Sequence, residues 1–148
     1  MRTPKAATQL DVRRPTNAPR EARRALGASG EALAAEHLRR LGYQLLARNV
    51  RTRHGEIDLI AYDGRTLVFA EVKTRRIGGR QPGIRPDQQP LLGLGARQRA
   101  RLRRLAAAWL REAGARRPVV RTIRFDAIGV AIDTRGRLRA LEHVEAAW

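Results

Sequence analysis

Residues 55–73 say most about the fold, and they read Gly-Glu-Ile-Asp-Leu-Ile-Ala-Tyr-Asp-Gly-Arg-Thr-Leu-Val-Phe-Ala-Glu-Val-Lys. Two mainly apolar runs, 56–61 and 66–73, flank the dipeptide Asp63-Gly64. An Asp-Gly pair between two such runs is a strong signal for a β-hairpin with a two-residue turn. The stretch therefore predicts two antiparallel β-strands.

The position of the turn also predicts which side chains face each other. With Asp63 and Gly64 at its centre, Asp58 faces Phe69 and Glu56 faces Glu71. Because side chains alternate between the faces of a strand, the charged residues of the hairpin share one face: Glu56, Asp58, Glu71 and Lys73. Like charges directly opposite each other cost stability unless a cation or hydrogen bonds compensate.

The flanking segments predict helices and further strands. Ser29 suits the N-cap of a helix that runs to about Leu41, with Gly42 as its terminator. Apolar spacing predicts a second helix over 96–113, and β patterns predict the remaining strands, 43–50, 119–130 and 138–144. The order of helix, three strands, helix and two strands predicts an α/β fold on one mixed sheet.

Composition predicts one domain with two irregular segments. Residues 1–27 contain three prolines and little apolar periodicity, and we interpret them as a basic, mostly disordered arm that could order near 20–26. Residues 28–148 form the predicted domain. Within it, 74–95 holds five glycines and three prolines, which predicts a long flexible loop.

Charge and cysteine content narrow the function classes. The 148 residues carry a formal net charge of +17 and no cysteine, which excludes disulfides, thiolate zinc sites and cysteine nucleophiles. No apolar run approaches the roughly 20 residues of a membrane span, and the basic start lacks an apolar signal region. We therefore expect a cytoplasmic protein with a polyanionic partner, nucleic acid before a membrane surface.

The acids of the hairpin suggest a metal site. In the predicted register Asp58 and Glu71 are diagonal neighbours, and Glu31 lies on the apolar face of the first helix. Carboxylates without cysteine or paired histidine suit a hard cation such as Mg²⁺ or Mn²⁺. The alternatives are a surface salt-bridge patch for the cluster, and for Glu31 an acid that complements the helix dipole.

Lysine usage draws attention to one more residue. Among the 31 basic residues only Lys5 and Lys73 are lysine, and the rest are arginine. A site that needs a compact ammonium could not accept the guanidinium fork of arginine. Lys73 therefore joins the candidate site.

Asp58 followed by Glu71-Val72-Lys73 resembles the Asp…Glu-x-Lys signature of the restriction-endonuclease-like, PD-(D/E)xK nucleases. A longer set of residues is similar to the bacterial YraN-like family of predicted endonucleases: Gly30-Glu31, Ala34-Ala35, Leu38, Leu41-Gly42-Tyr43, Asn49, Arg51, 55–60 and 69–75. The likeness covers 29–76 closely, and 96–110 and 124–126 more loosely.

This resemblance implies a restriction-endonuclease-like mixed sheet flanked by helices, similar to archaeal Holliday-junction resolvases. It implies that Glu31, Asp58 and Glu71 ligate the metal with help from the Val72 carbonyl, and that Lys73 assists the attacking water. Glu56 and Gln98 are accessory candidates. Relatives usually begin the second helix with Lys-Gln, whereas this chain has Arg97-Gln98.

The first hypothesis is accordingly a divalent-metal-dependent endonuclease acting on DNA, including branched or repair structures, for which a two-fold dimer would be expected. DNA is favoured over RNA as the substrate, and the candidate phosphate contacts are Arg53, Arg75, Arg76, Arg97 and Arg99. The alternative is a non-catalytic nucleic-acid-binding protein that retains the nuclease fold. A protein bound to ribosomal RNA would explain the charge but not the acids.

Overall fold

A computed structural model describes residues 18–79 and 83–148. The predicted arm over 1–17 lies outside the described residues. The main elements, in chain order, are the helix α1 (Ala18–Arg40), the strands β1 (Gln44–Thr52), β2 (Gly55–Tyr62) and β3 (Thr66–Arg76), the helix α2 (Ala96–Ala113), and the strands β4 (Thr122–Ile132) and β5 (Leu138–Val144). Short 3₁₀ turns occupy Pro86–Gln88 and Gly114–Arg116.

The five strands form one mixed sheet in the order β1-β2-β3-β4-β5. All neighbours are antiparallel except β3 and β4, which are parallel. A parallel pair needs a long crossover connection, and the segment that contains α2 supplies it. The mixed α/β fold predicted from the sequence is confirmed.

The two helices cover opposite faces of the sheet. Ala34, Ala35 and Leu38 of α1 pack on one face against alternate residues of the central strands. Leu102, Leu105 and Ala106 of α2 pack on the other face, around Phe69. The predicted range of α2 agrees with the structure, since its apolar stripe recurs at helical spacing.

The predicted start of α1 is wrong. The helix begins at Ala18, so that 18–27, assigned to the arm by the sequence, are helical. Ser29 lies inside the helix, where its hydroxyl donates to the Ala25 carbonyl at 3.0 Å instead of capping an N-terminus. Gly42, at a φ of 92°, follows the helix end as predicted.

The predicted hairpin register is also wrong, by two residues. Tyr62 pairs with Leu67, and the pairing continues to Leu59 with Ala70. The Asp63 carboxylate accepts hydrogen bonds from the backbone N–H groups of Arg65 (2.9 Å) and Thr66 (2.7 Å), which draws both residues into the turn. Glu56 consequently does not face Glu71.

The prediction that Glu56 shares a face with Glu71 is wrong as well. Ile57 packs on the α2 side and Leu59 on the α1 side, so the alternation of side chains breaks at Asp58. Glu56 consequently lies on the α1 side, next to Glu31. Asp58 and Glu71 become the next residues beyond the last pair of the hairpin, so that they are cross-strand neighbours instead of diagonal ones. The two acids are close enough for the charge of Glu71 to raise the pKa of Asp58.

The segment after β3 is anchored on the sheet. Gly129 of β4 leaves room for it, because a Cβ at this position would lie 2.9 Å from Leu91 Cγ and 3.1 Å from Pro90 Cβ. Residues 80–82, in the middle of the predicted loop, lie outside the described residues. Neither helix, over its described length, has the span of apolar residues needed to cross a bilayer.

Candidate active site

Asp58 occupies a gap between β2 and β3. Its Oδ2 accepts a hydrogen bond from the Val72 backbone N–H at 2.7 Å, just beyond the last backbone pair of the hairpin. The side chain thus satisfies a donor that would otherwise belong to the strand ladder. This bond fixes the carboxylate at the point where the two strands diverge.

The position is unfavourable for a charged group. Burial raises the pKa of Asp58 to about 7, and the neighbouring carboxylates of Glu71 and Glu31 add to this effect. The Val72 N–H and the Lys73 ammonium act in the opposite direction. A bound cation would relieve this unfavourable placement.

Glu71 is the most deeply buried of these acids, with 4% of its surface exposed. Its Oε1 lies 2.9 Å from Lys73 Nζ and 3.5 Å from Arg101 Nη2. Its Oε2 is buried and, within the described part of the chain, has no hydrogen-bond partner. Because an unpartnered buried carboxylate oxygen is costly, Oε2 marks a position where a ligand fits.

Gly30 brings α1 close to the end of β3. Gly30 is buried, and a Cβ at this position would overlap the side-chain hydroxyl of Thr74. The next residue, Glu31, is consequently held near the acids of the hairpin. Burial raises the pKa of Glu31, the carboxylate of Glu56 raises it further, and a hydrogen bond with the Asn49 side chain opposes both.

Glu31 and Glu56 line the same small cavity of about 290 Å³, together with Asn49 and Arg51. Glu56 lies 3.9 Å from Arg51, at the distance limit of an ion pair. The structure therefore places Glu56 beside Glu31, not opposite Glu71. The site consists of two neighbouring parts, a buried one around Asp58 and Glu71 and a more open one around Glu31.

Asn49 is a residue of this site that the sequence did not single out as functional. It has a φ of 49° in the middle of β1, in the left-handed region that asparagine tolerates better than most residues. This distortion accompanies its hydrogen bond with Glu31. An Asn inside an apolar strand pattern was the signal that could have identified it.

The donor set suits a hard cation. Mg²⁺ keeps several waters and is commonly held by one or two carboxylates together with substrate phosphates. Asp58 and the unpartnered Glu71 Oε2 meet that requirement. Among the residues that the structure describes, no three acidic or histidine side chains converge closely enough to enclose a metal ion by themselves.

Several predicted site residues lie elsewhere. The Gln98 side chain accepts a hydrogen bond from the Gly95 N–H at 2.6 Å and caps the start of α2. Arg75 donates to the Asp87 carbonyl and Arg99 to the Leu94 carbonyl, at 3.4 Å in the second case. Arg76 and Arg97 are exposed. Arg53, another predicted phosphate contact, lines a groove between the β1-β2 turn and α2.

Arg101 is a residue of the candidate site that the sequence pattern does not distinguish from its neighbours. It stands one residue before the buried Leu102 and reaches Glu71 across the sheet face. A chain with arginines at 97, 99, 101, 103 and 104 gives no sequence signal for choosing one of them. Only the packing of α2 against β3 identifies it.

A second polar cluster is buried on the α1 side of the sheet. Asp126, fully buried, accepts hydrogen bonds from Arg124 (2.8 Å to each oxygen) and pairs with His143 at 2.8 Å. His143 in turn lies 3.1 Å from His37 of α1. These contacts satisfy the buried carboxylate and join α1, β4 and β5.

The sequence pattern of the uncharacterised protein family UPF0102 matches residues 30–130, more than half of the chain and the whole candidate site. The chain belongs to this family. Family membership confirms the likeness found in the sequence, because YraN-like proteins are UPF0102 proteins.

Three UPF0102 relatives illustrate the similarity. The chain is 54% identical over 91 residues to a protein of Acidothermus cellulolyticus, and the aligned part covers 62% of this chain and 64% of that relative's length. It is 47% identical over 93 residues to a protein of Mycolicibacterium vanbaalenii, with 61% and 69% covered. It is 52% identical over 87 residues to a protein of Symbiobacterium thermophilum, with 59% and 68% covered.

Proposed function

We propose that this UPF0102 protein is a divalent-metal-dependent endonuclease that acts on DNA. The observation that carries the proposal is the buried, unpartnered Glu71 Oε2 next to the Asp58 carboxylate, whose charged form is disfavoured by burial. Two carboxylates in this state form a site that gains by binding a cation. Nothing in the names of the relatives assigns an activity.

Each residue has a role in this proposal. Asp58 and Glu71 would hold Mg²⁺ or Mn²⁺, and Glu31 would contact it through water from the neighbouring cavity. When bound, such an ion polarises a phosphoryl oxygen and lowers the pKa of a coordinated water. The Lys73 ammonium, 2.9 Å from Glu71 Oε1, lies where it can orient a water and stabilise negative charge that develops on phosphate.

The charge of the chain supports a nucleic-acid substrate. A formal net charge of +17 favours a polyanion, and the phosphates of DNA supply one negative charge per roughly 1.7 Å of duplex. A backbone-directed contact needs no aromatic platform, and aromatic residues are only 4% of this chain.

A second candidate function is non-catalytic nucleic-acid binding. The observation that favours it is the neutralisation of Glu71 Oε1 by two cations, Lys73 and Arg101. In that case the acids would stabilise the fold, and the basic surface would bind nucleic acid without cleaving it.

The test is cleavage of labelled substrates that comprise linear duplex, single strand, flap, four-way junction and structured RNA. Reactions contain Mg²⁺, Mn²⁺ or EDTA, with wild type beside Asp58→Asn, and Glu36→Gln serves as the control because Glu36 is an exposed acid on α1. Metal-dependent cutting of DNA by the wild type and the control, lost in Asp58→Asn, is the expected result.

Absence of cutting by the wild type on every substrate, with clear binding, would contradict the nuclease and favour the second candidate. Cutting that survives in EDTA would contradict the role of a metal. Cutting of RNA alone would contradict the choice of DNA.

A further inference from the structure

A groove lined mainly by positively charged residues runs beside the candidate site. It encloses about 830 Å³ between the β1-β2 turn and α2. Its basic residues are Arg51, Arg53 and His54 from the turn region, and Arg101, Arg104 and Arg111 from the helix. Glu112 is the single acid among the lining residues.

Three arginines of α2 line the groove in a row along one side of the helix. Arg104 and Arg111 follow Arg101 at three and ten positions, on one side of α2, next to the stripe that packs on the sheet. Ten residues of helix extend about 15 Å. Since phosphates of one DNA strand recur about every 3.4 Å along the duplex axis, this length spans about four of them. A groove of this length exceeds what a single phosphate group would need.

The lining is poor in groups on which bases can stack. Leu105, Ala107 and Ala108 form its apolar part, and no aromatic residue other than His54 lines it within the described chain. Proteins that hold single strands generally use aromatic platforms for successive bases. A groove lined with guanidinium groups fits the phosphates of a duplex better.

Arg101 connects the groove with the site. Its guanidinium lines the groove and lies 3.5 Å from Glu71 Oε1. Gly55 permits this position, because a Cβ at Gly55 would lie 3.0 Å from Arg101 Nη1. Arg101 therefore joins the lining of the groove to the Glu71 carboxylate.

We propose that the groove between the β1-β2 turn and α2 binds the sugar-phosphate backbone of duplex DNA and leads one strand to Asp58 and Glu71. The choice of DNA rests on the proposed function, whereas the location of the surface rests on the lining of the groove. The surface differs from the one expected from the sequence, since Arg75, Arg76, Arg97 and Arg99 do not line it.

The experiment measures binding without cleavage, in EDTA, by fluorescence anisotropy of a labelled duplex across a range of salt concentrations. The groove variant is Arg104→Ala with Arg111→Ala. The matched control is Arg39→Ala with Arg40→Ala, which removes the same charge from α1, on the opposite face of the sheet. Circular dichroism melting shows whether each variant is folded, and Arg104→Gln with Arg111→Gln replaces the groove variant if it is not.

The groove variant is expected to lose at least tenfold in affinity near 0.1 M salt. Its salt dependence should flatten by about 0.9 log units for each phosphate that the variant no longer neutralises, while the control stays within twofold of the wild type. Equal effects of the two double variants would overturn the groove. Tighter binding of single-stranded DNA or duplex RNA than of duplex DNA would overturn the choice of ligand.

These outcomes separate the groove from the nuclease. Loss of binding in the groove variant, in a protein whose wild type never cuts, would support the groove and contradict the nuclease. Unchanged binding and unchanged cutting by the groove variant would overturn the groove and leave the nuclease standing.

Discussion

Asp58 accepts a hydrogen bond from the backbone N–H of Val72, and this bond takes the place of a backbone hydrogen bond between β2 and β3. The carboxylate is thereby fixed beside Glu71 at the divergence of the two strands. This arrangement lacks a backbone hydrogen bond and places two acids near each other, and both features cost stability. Such costly arrangements are typical of functional sites.

We expect Asp58→Asn to stabilise the protein in EDTA, and more so at pH 8 than at pH 5. Burial, with the charge of Glu71 in second place, raises the pKa of Asp58 from 3.8 to about 7. Between these two pKa values the folded protein retains a proton that the unfolded chain loses. The protonated carboxyl stabilises the fold fully below pH 3.8, and this stabilisation is lost as the pH rises to about 7. Asparagine resembles the protonated acid and avoids this loss.

Urea unfolding in EDTA at several pH values measures the effect. The difference in the free energy of unfolding between Asp58→Asn and wild type should grow by on the order of 1.4 kcal/mol per pH unit between about pH 5 and 7. A difference that stays constant with pH would show that Asp58 is not protonated in the folded protein.

Gly30→Ala should destabilise the protein by roughly 1–3 kcal/mol, because the added Cβ overlaps Thr74 and pushes α1 away from β3. Glu31 would move with the helix, so cleavage should fall as well. Gly27→Ala is the control: it lies in the same helix, nothing is within 4 Å of its added Cβ, and alanine favours the helix by up to about 1 kcal/mol.

Thermal and urea unfolding of both variants check the prediction about Gly30. Combining Gly30→Ala with Thr74→Gly should recover part of the stability, since Thr74 provides the overlapping atoms. Equal stability of the Gly27 and Gly30 variants would contradict the close approach of α1 and β3.

Asp126→Asn should cost about 3–5 kcal/mol, because it leaves the charge of Arg124 without its buried partner. Burial raises the pKa of Asp126, but hydrogen bonds from His143, Arg124 and the Ala146 N–H outweigh it and hold the pKa below its usual value. Arg124 also pairs with the exposed Glu145 at 3.3 Å, so Glu145→Gln, with an expected cost below about 1 kcal/mol, is the matched control.

The prediction about Asp126 is measured by urea unfolding at about pH 7. The advantage of wild type over Asp126→Asn should shrink as the pH falls below 3.8, where the depressed pKa of the folded state makes protonation destabilising. Similar costs for the Asp126 and Glu145 substitutions would show that the buried cluster does not stabilise the fold more than a surface ion pair does.

Lys73→Arg should lower the cleavage rate roughly 10²–10³-fold while DNA affinity stays the same. The charge is retained, but the guanidinium is a planar fork and cannot place a single ammonium against Glu71 Oε1. Single-turnover cleavage and anisotropy, measured on the same duplex, separate the two effects. Undiminished cleavage would remove the special role of the lysine, and a parallel decrease in affinity would assign Lys73 to binding.

Much of the fold follows from local sequence patterns. Helix α2 is predicted with its observed bounds, because its apolar residues recur every three to four positions. The β2-β3 hairpin is predicted from its two apolar runs, but its register is not, since the Asp63 side chain hydrogen-bonds the turn in a way that a two-residue turn does not. The helical start at Ala18 is missed because weak periodicity and Pro19 suggest an arm.

The sequence by itself selects Asp58, Glu71 and Lys73 as candidate site residues, and period-two alternation keeps Glu71 and Lys73 on one face of β3 whatever the register of the hairpin. Their surroundings depend on the tertiary structure. Arg101 and Asn49 come from elements distant in sequence, and the groove requires α2 to lie beside the β1-β2 turn. Local periodicity predicts which way a side chain faces only where a strand is regular, and it fails for Glu56 because the alternation breaks between Ile57 and Leu59. The contacts that a side chain makes are decided by the packing between elements.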